Sequence, residues 1–354
     1  MKNKLLYILL ASFNIFSYAH AQQNLENTPA KYFNPYLPME NMEKESFINE
    51  KKIKKITYIK KLDINNYRID TIKVSSFDRE GREIRTLHYS DGKKSKEIDY
   101  LYQKNEKKSH TKKLFMSGKI YDDDYGDEYY QFDENKNVIY LRTSYKKEKP
   151  REFKYLYKNS KLISREHLYL DKINVSFEYI YNDKNLLTEY TYFSFENEKA
   201  EKKPIDQTLY FYDIHNNCIK IIVKLNNETI ETKDFKYNTD KKLIQEIYNY
   251  SNYGTTEKGQ IDYIYKDDKL SKITEKNDKN GKIESEIFYI KNDKLLKIVS
   301  NYSNSRSFRF INTMSNTGNH IFDYQYDNNG SLEKLTISEN GNIKNVYEFS
   351  IEYY

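Results

Sequence analysis

Tyr324-Gln325-Tyr326-Asp327-Asn328-Asn329-Gly330-Ser331-Leu332 is the stretch that decides the fold. Two aromatics at i and i+2 point to one face of a β-strand. The run of Asp, Asn and Gly behind them predicts a turn, because these residues accept left-handed backbone or bond their own main chain. Leu332 then opens a second arm, and the whole reads as a β-hairpin. The block recurs along the chain. Tyr155-Leu-Tyr157-Lys-Asn-Ser-Lys-Leu162, Tyr179-Ile-Tyr181-Asn-Asp-Lys-Asn-Leu186 and Tyr263-Ile-Tyr265-Lys-Asp-Asp-Lys-Leu270 are one residue shorter. Copies of the longer form begin at Tyr130, Tyr210 and Phe235, and weaker ones lie at Phe77–Gly81, Tyr100–Tyr102 and Phe288–Leu295. The second anchors fall at 77, 102, 132, 157, 181, 212, 237, 265, 290 and 326, a spacing of 24 to 36 residues.

Such a series predicts an all-β fold of stacked β-hairpin repeats, forming an extended, twisted or spiralling antiparallel sheet. A lone hairpin is marginal in water, so stability must come from neighbours in the array. Loops of four or five residues are expected within each hairpin, and sheet edges at the two ends, guarded by the abundant Lys. The repeat anchors are Tyr155, Tyr157, Leu162, Tyr179, Tyr181, Leu186, Tyr263, Tyr265, Leu270, Tyr324, Tyr326 and Leu332. Leu270/Ile273, Leu295/Ile298 and Leu332/Leu335 place apolar residues three apart rather than two. That spacing is not strict alternation and points to a twist or bulge in the returning arm, or to a strand with apolar contacts on both faces.

The block Tyr-x-Tyr-Asp-x-x-Gly-x-Leu resembles the YD repeat of bacterial Rhs and teneurin-like proteins. Tyr324 to Leu332 matches it best, Phe77-Asp78-Arg79-Glu80-Gly81-Arg82 is close, and the likeness runs from about residue 65 to the end. Most copies here replace Asp with Asn, Lys or Gln and Gly with Lys or Asn, and the chain has only 10 Gly. In that family long arrays form a spiralling β shell around a C-terminal toxin or other cargo. The resemblance implies the strand architecture and leaves function open.

Composition narrows the classes. Hydrophobic residues make up 38 % of the 354, but 37 of them are Tyr, so the aliphatic core is thin. Aromatic content of 16 % nevertheless argues against disorder. With 59 Lys+Arg against 53 Asp+Glu, spread along the whole chain, there is no clustered basic face, and no nucleic-acid partner is expected.

The start reads as an export signal. Met1–Lys4 is basic, Leu5–Tyr18 is mostly apolar, and Ala19 and Ala21 are the small residues of a cleavage site before Gln22. The apolar run is too short to span a membrane, and no second one follows, so no transmembrane segment is expected. No Cys lies near residue 21, which argues against a lipoprotein; the expected location is the periplasm or the exterior. The domains expected are a signal peptide over 1–21, a Pro-containing flexible segment over 22–50 and the repeat domain over 51–354. The single Cys218 cannot form an intrachain disulfide and reads as a small strand hydrophobe.

A search for chemistry finds little. His88, His110, His167, His215 and His320 are not paired at metal spacing. Asp122, Asp124 and Asp127 form the densest acidic cluster and are weak cation candidates, without EF-hand spacing and otherwise a solvated loop. No G-x-S-x-G elbow, phosphate loop or dinucleotide fingerprint occurs, so neither enzymatic activity nor a cofactor is expected. Tyr suits recognition surfaces. Tyr248, Tyr250 and Tyr253, with Tyr190 and Tyr192, are the contact candidates outside the anchors. Two long intervals, Phe193–Thr208 and Tyr302–Ile321, break the rhythm, and the second carries Arg306 and Arg309 as partner-binding candidates.

These features favour an exported, non-enzymatic binding or scaffold module of the cell envelope or the exterior, whose partner is a protein or a glycan. Two rival readings are a carbohydrate-binding or carbohydrate-processing envelope protein, against which the absence of Trp weighs, and a small polymorphic-toxin-associated shell or neutralising partner.

Overall fold

The fold is described from a computed structural model. It covers residues 39, 42, 44–63, 68–90, 92–103, 105–113, 123–145, 149–169, 172–195, 204–252, 255–277, 283–290, 294–300 and 319–354. A short helix, α1 (Glu45–Lys51), precedes 22 strands. The first eleven are β1 (Ile53–Asp63), β2 (Arg68–Phe77), β3 (Glu83–Ser90), β4 (Lys93–Gln103), β5 (Glu106–Lys113), β6 (Asp123–Phe132), β7 (Val138–Tyr145), β8 (Arg151–Lys158), β9 (Lys161–Tyr169), β10 (Lys172–Tyr181) and β11 (Leu187–Ser194). The rest are β12 (Pro204–Tyr212), β13 (Cys218–Leu225), β14 (Glu228–Tyr237), β15 (Leu243–Asn252), β16 (Thr255–Lys266), β17 (Lys269–Asn277), β18 (Ile283–Ile290), β19 (Lys294–Ser300), β20 (His320–Tyr326), β21 (Leu332–Glu339) and β22 (Asn342–Tyr353).

Every strand pairs antiparallel with the next in sequence, as the hairpin series requires. The two expected edges do not stay open. β22 pairs with β1 from Ile53↔Tyr353 to Lys61↔Val346, so the pairing runs round through all 22 strands. Lys54 and Lys55 fix this seam through Glu352, at 3.1 and 2.7 Å.

The expected bulge is present and regular. In β16–β17, Ile264 pairs with Lys272 but Tyr265 pairs with Leu270, which leaves Ser271 as an extra residue. Extra residues at the same place are Ile84, Ile139, Ile163, Thr188, Ile219, Ile244, Leu296 and Glu333. A bulge advances the side-chain phase by one, so residues three apart share the buried face. Ile273, Ile298 and Leu335 accordingly have no exposure.

The turns explain why the motif tolerates Asn for Asp. Asp78, Asp133 and Asp213 each accept, through one side-chain oxygen, the amides two and four residues on. Asn182 does the same with its side-chain oxygen, and no charge is needed. The place three after this residue has positive φ whether it is Gly81, Lys136, Asn185, Asn216, Lys241 or Gly330. Two of the three shorter copies turn in two residues, not four: Asn159-Ser160 and Asp267-Asp268 both sit at positive φ, the hairpin geometry that follows strand twist.

Two anchors shift by one residue. Leu186 belongs to the turn, where its carbonyl accepts the Asn182 amide, and Leu187 takes the anchor place opposite Tyr181. Asn182 fixes this by closing a five-residue turn. Likewise Tyr289, not Ile290, faces Leu295.

One bond recurs between hairpins. The second anchor tyrosine donates its hydroxyl to the carbonyl that opens the returning arm of the preceding hairpin. Tyr181 reaches Leu162, Tyr212 reaches Leu187, Tyr237 reaches Cys218 and Tyr265 reaches Leu243, at 2.7 to 3.0 Å. Tyr102 meets Glu83 and Tyr326 meets Leu295 in the same way, both at 2.9 Å. At the seam Tyr354 donates its hydroxyl to the Phe77 carbonyl at 2.5 Å.

The expected flexible segment also gives way to structure at its end. α1 buries Ile48 completely, and Met42 ahead of it is 2 % exposed. Gly81 makes room for it: a Cβ there would stand 2.8 Å from the Asn49 Cβ and 2.9 Å from the Glu45 carbonyl oxygen. The core follows the repeat, with one apolar cluster across β1, β2, β13 to β17 and β19 to β22 and a second across β9 to β11.

Candidate functional site

Alternation along a strand gives each hairpin two faces. On the outer face the residue between the anchors stands next to the bulge residue. The first set comprises Leu101, Leu156, Ile180, Phe211 and Ile264; the second comprises Ile84, Ile139, Ile219, Ile244 and Leu296. All ten are between 37 % and 56 % exposed. Because the repeat fixes their height, they form a row on the outside, just below the turns. Beneath it the outer face is charged and cross-paired. Lys276 meets Asp262 at 2.7 Å, Arg85 meets Asp99 at 3.4 Å, Lys297 meets Asp323 at 3.6 Å and Lys220 meets Asp234 at 3.7 Å. Above it lie the polar turns, where Lys242 bridges to Asp268 at 2.9 Å. A row of aliphatic side chains between two polar zones is the pattern of an interaction surface rather than of scattered surface residues.

The buried face carries charges that the composition did not reveal. Lys107 stands where other hairpins put the arm-opening Leu, opposite Tyr102 in a hairpin without a bulge. Its ammonium lies 4.7 Å from the Tyr100 ring, 5.6 Å from Tyr130 and 5.7 Å from Tyr102. Burial lowers its pKa, against the pull of Glu83, Glu128 and Glu45. Glu246 is 1 % exposed and meets Lys233 at 3.2 Å. Glu275 is fully buried and accepts the Tyr248 hydroxyl at 3.0 Å. That bond crosses Gly259, where a Cβ would overlap the Tyr248 hydroxyl. Asp206 is pushed up to about 6 by burial and by Glu231.

Several candidates from the sequence change character. Tyr248 and Tyr190 are core residues, 6 % and 8 % exposed, because the bulges turn them onto the buried face. Tyr192 packs on Phe177 with ring centroids 5.1 Å apart, and Tyr250 faces Glu231 across the β14–β15 ladder. The acidic cluster is not a loop: Asp124 and Asp127 lie in β6. Exposed Asp127 bonds His110 Nδ1 at 2.6 Å. Asp122, Tyr253, Arg306, Arg309, Ala19, Ala21 and Gln22 lie outside the described residues. The anchors Tyr155, Tyr157, Leu162, Tyr179, Tyr263, Leu270, Tyr324 and Leu332 all face the buried side with their ladder partners. Cys218 packs against the larger cluster, and burial pushes its thiol up to about 12. The outer row escaped the sequence reading because its members alternate with the aromatics that define the motif.

No protein-family model matches the chain, and no curated protein is similar to it. Among solved structures, a TcdB2-TccC3 structure without its hypervariable C-terminal region aligns at TM-score 0.37 and 12 % identity. That alignment covers 82 % of this chain and 14 % of the other, so this chain spans about a seventh of that length. A porin-like protein from Bacteroides uniformis aligns at TM-score 0.29 and 9 % identity, over 85 % of this chain and 98 % of the other. At such scores the fold rests on the strand pairings themselves. No helix among the described residues is long and apolar enough to cross a membrane.

Proposed function

We propose that this chain is an exported, non-enzymatic binding or scaffold module of the cell envelope or the exterior, which holds a protein partner on its outer apolar row. The observation that carries this reading is the row itself, ten exposed aliphatic or aromatic residues set at one height by the repeat. Each exposes apolar surface to water at a cost that a partner would relieve. The polar zones on either side match the rim of a protein interface. The signal-like start, Met1 to Ala21, supports export. We also place the chain as a short, divergent relative of the YD-repeat proteins. The support is the side-chain-capped turn, the positive-φ position and the tyrosine bond that ties one hairpin to the next.

The test is capture by residues 22–354 from envelope and culture fractions of the source organism, read by mass spectrometry. A partner at near-equal stoichiometry is expected. The triple variant Leu156→Lys, Ile180→Lys, Phe211→Lys should lose it while keeping a β-type circular dichroism spectrum. Capture that survives this variant removes the row as the interface. A catalytic turnover abolished by one side-chain change removes the non-enzymatic reading.

A further inference from the structure

Arg165 occupies the core place three residues after Leu162 that other hairpins give to Ile273, Ile298 or Leu335. It is 5 % exposed. Its guanidinium lies 4.9 Å from the Phe177 ring, 5.3 Å from Phe153 and 5.9 Å from Tyr155. Ring faces offset only part of the cost of taking a cation out of water. Among the described residues no carboxylate meets Arg165 at ion-pair distance, and its buried Nε has no hydrogen-bond partner. On the next strand Tyr179 is 5 % exposed, and its buried hydroxyl likewise has no partner. The charge of Arg165 bears on that hydroxyl. Two residues along the same face, His167 stacks on Phe153 with centroids 4.6 Å apart.

The contrast with the other buried charges is what matters. Glu246, at the equivalent place in β15, has Lys233. Lys107 lies in the field of Glu83, Glu128 and Glu45. Beside Arg165, burial together with Arg151 and Arg165 holds the His167 imidazole down to about 4. It is therefore neutral at pH 7.

We propose that Arg165 and Tyr179 form a binding site on the buried face for the carboxylate of a small aromatic acid. A guanidinium fork matches the two oxygens of a carboxylate, and the Tyr179 hydroxyl supplies a further donor. Charge counting favours a monoanion. With a neutral imidazole beside it, one buried guanidinium is balanced by one negative charge, and half-buried Arg151 keeps solvent screening. The rings of Phe153, Tyr155 and Phe177 give the ligand's apolar part its surroundings. This site is separate from the outer row, and neither depends on the other.

The experiment is calorimetric titration of residues 22–354 with benzoate and, separately, with inorganic phosphate, together with an NMR titration of the His167 imidazole. Saturable benzoate binding is expected, weakened about 10-fold or more in Arg165→Gln and about 5-fold in Tyr179→Phe. Bound benzoate should also raise the His167 titration midpoint, because an added negative charge favours the imidazolium. Absent or non-saturable benzoate binding overturns the proposal, as does equal affinity in both variants or a preference for phosphate. Should Arg165→Gln fail to fold, Tyr179→Phe decides alone, since it removes one oxygen and leaves the packing.

Discussion

A single tyrosine hydroxyl, present at six of the second anchors, is the residue-scale device that joins one hairpin to the next. Phe would fill the same space as Tyr212, but it would leave the Leu187 carbonyl without the bond at 2.7 Å. Tyr212→Phe should therefore cost about 1 kcal/mol, seen as a melting temperature lower by a few degrees. Tyr326→Phe, far away in the sheet, should add to it without coupling. Asp206 gives a prediction with the opposite sign. Its folded value of about 6 stands above the ordinary 3.8, so the charged form is disfavoured in the folded state. The penalty is present above pH 6 and disappears as pH falls towards 4. Asp206→Asn should raise the melting temperature by about 2 °C or more at pH 7.5 and change it little at pH 4.5. A gain of equal size at both values would show that the carboxylate's charge is not the cause. Legibility at this scale was uneven. The anchors declare themselves by aromatic type and spacing. Lys107, Arg165, Glu246 and Glu275 do not, because a charge in a strand looks the same whichever face it takes.

At the scale of the element, the bulge determines which side chains are buried. The three-residue spacing of Leu270 and Ile273 pointed to it from sequence, since strict alternation cannot put both on one face. What the sequence obscured was the register of irregular copies. Asn182 can begin either a short or a long turn, and only the bond from its amide to the Leu186 carbonyl shows which. Inserting one Gly between Lys272 and Ile273 keeps the bulge at Ser271 but puts the rest of β17 out of phase, turning Ile273 and Glu275 outward. The expected result is loss of cooperative unfolding, or a stability loss above about 4 kcal/mol, measured by urea titration. An insertion tolerated within about 1 kcal/mol would mean that the phase set by the bulge is incidental to the core. The same one-residue insertion sets the outer row at a common height, so buried and exposed patterns share one cause.

For the whole molecule, the decisive pairing is the most distant in sequence. Ile53 and Tyr353 meet across 300 residues, which no local pattern announces. A repeat predicts neighbours and says nothing about whether first and last will meet, so the array was expected to end in edges. Removing β22 by truncation after Gly341 would expose β21 and β1 as unpaired ladders. Such a chain should self-associate, visible in sedimentation as species larger than the parent at equal concentration. A truncated chain that sediments like the parent would show that the seam is dispensable. The same seam has a topological consequence. Tyr354 donates its amide to the Lys52 carbonyl at 2.9 Å, so the end of the last strand and the start of the first are already side by side. A short linker from Tyr354 back to α1, with new termini opened at a turn such as Asn226-Asn227, would leave the strand pairings unchanged. The order in which the hairpins are synthesised is then separable from the order in which they pair, and a circular permutant is the natural way to vary one while holding the other.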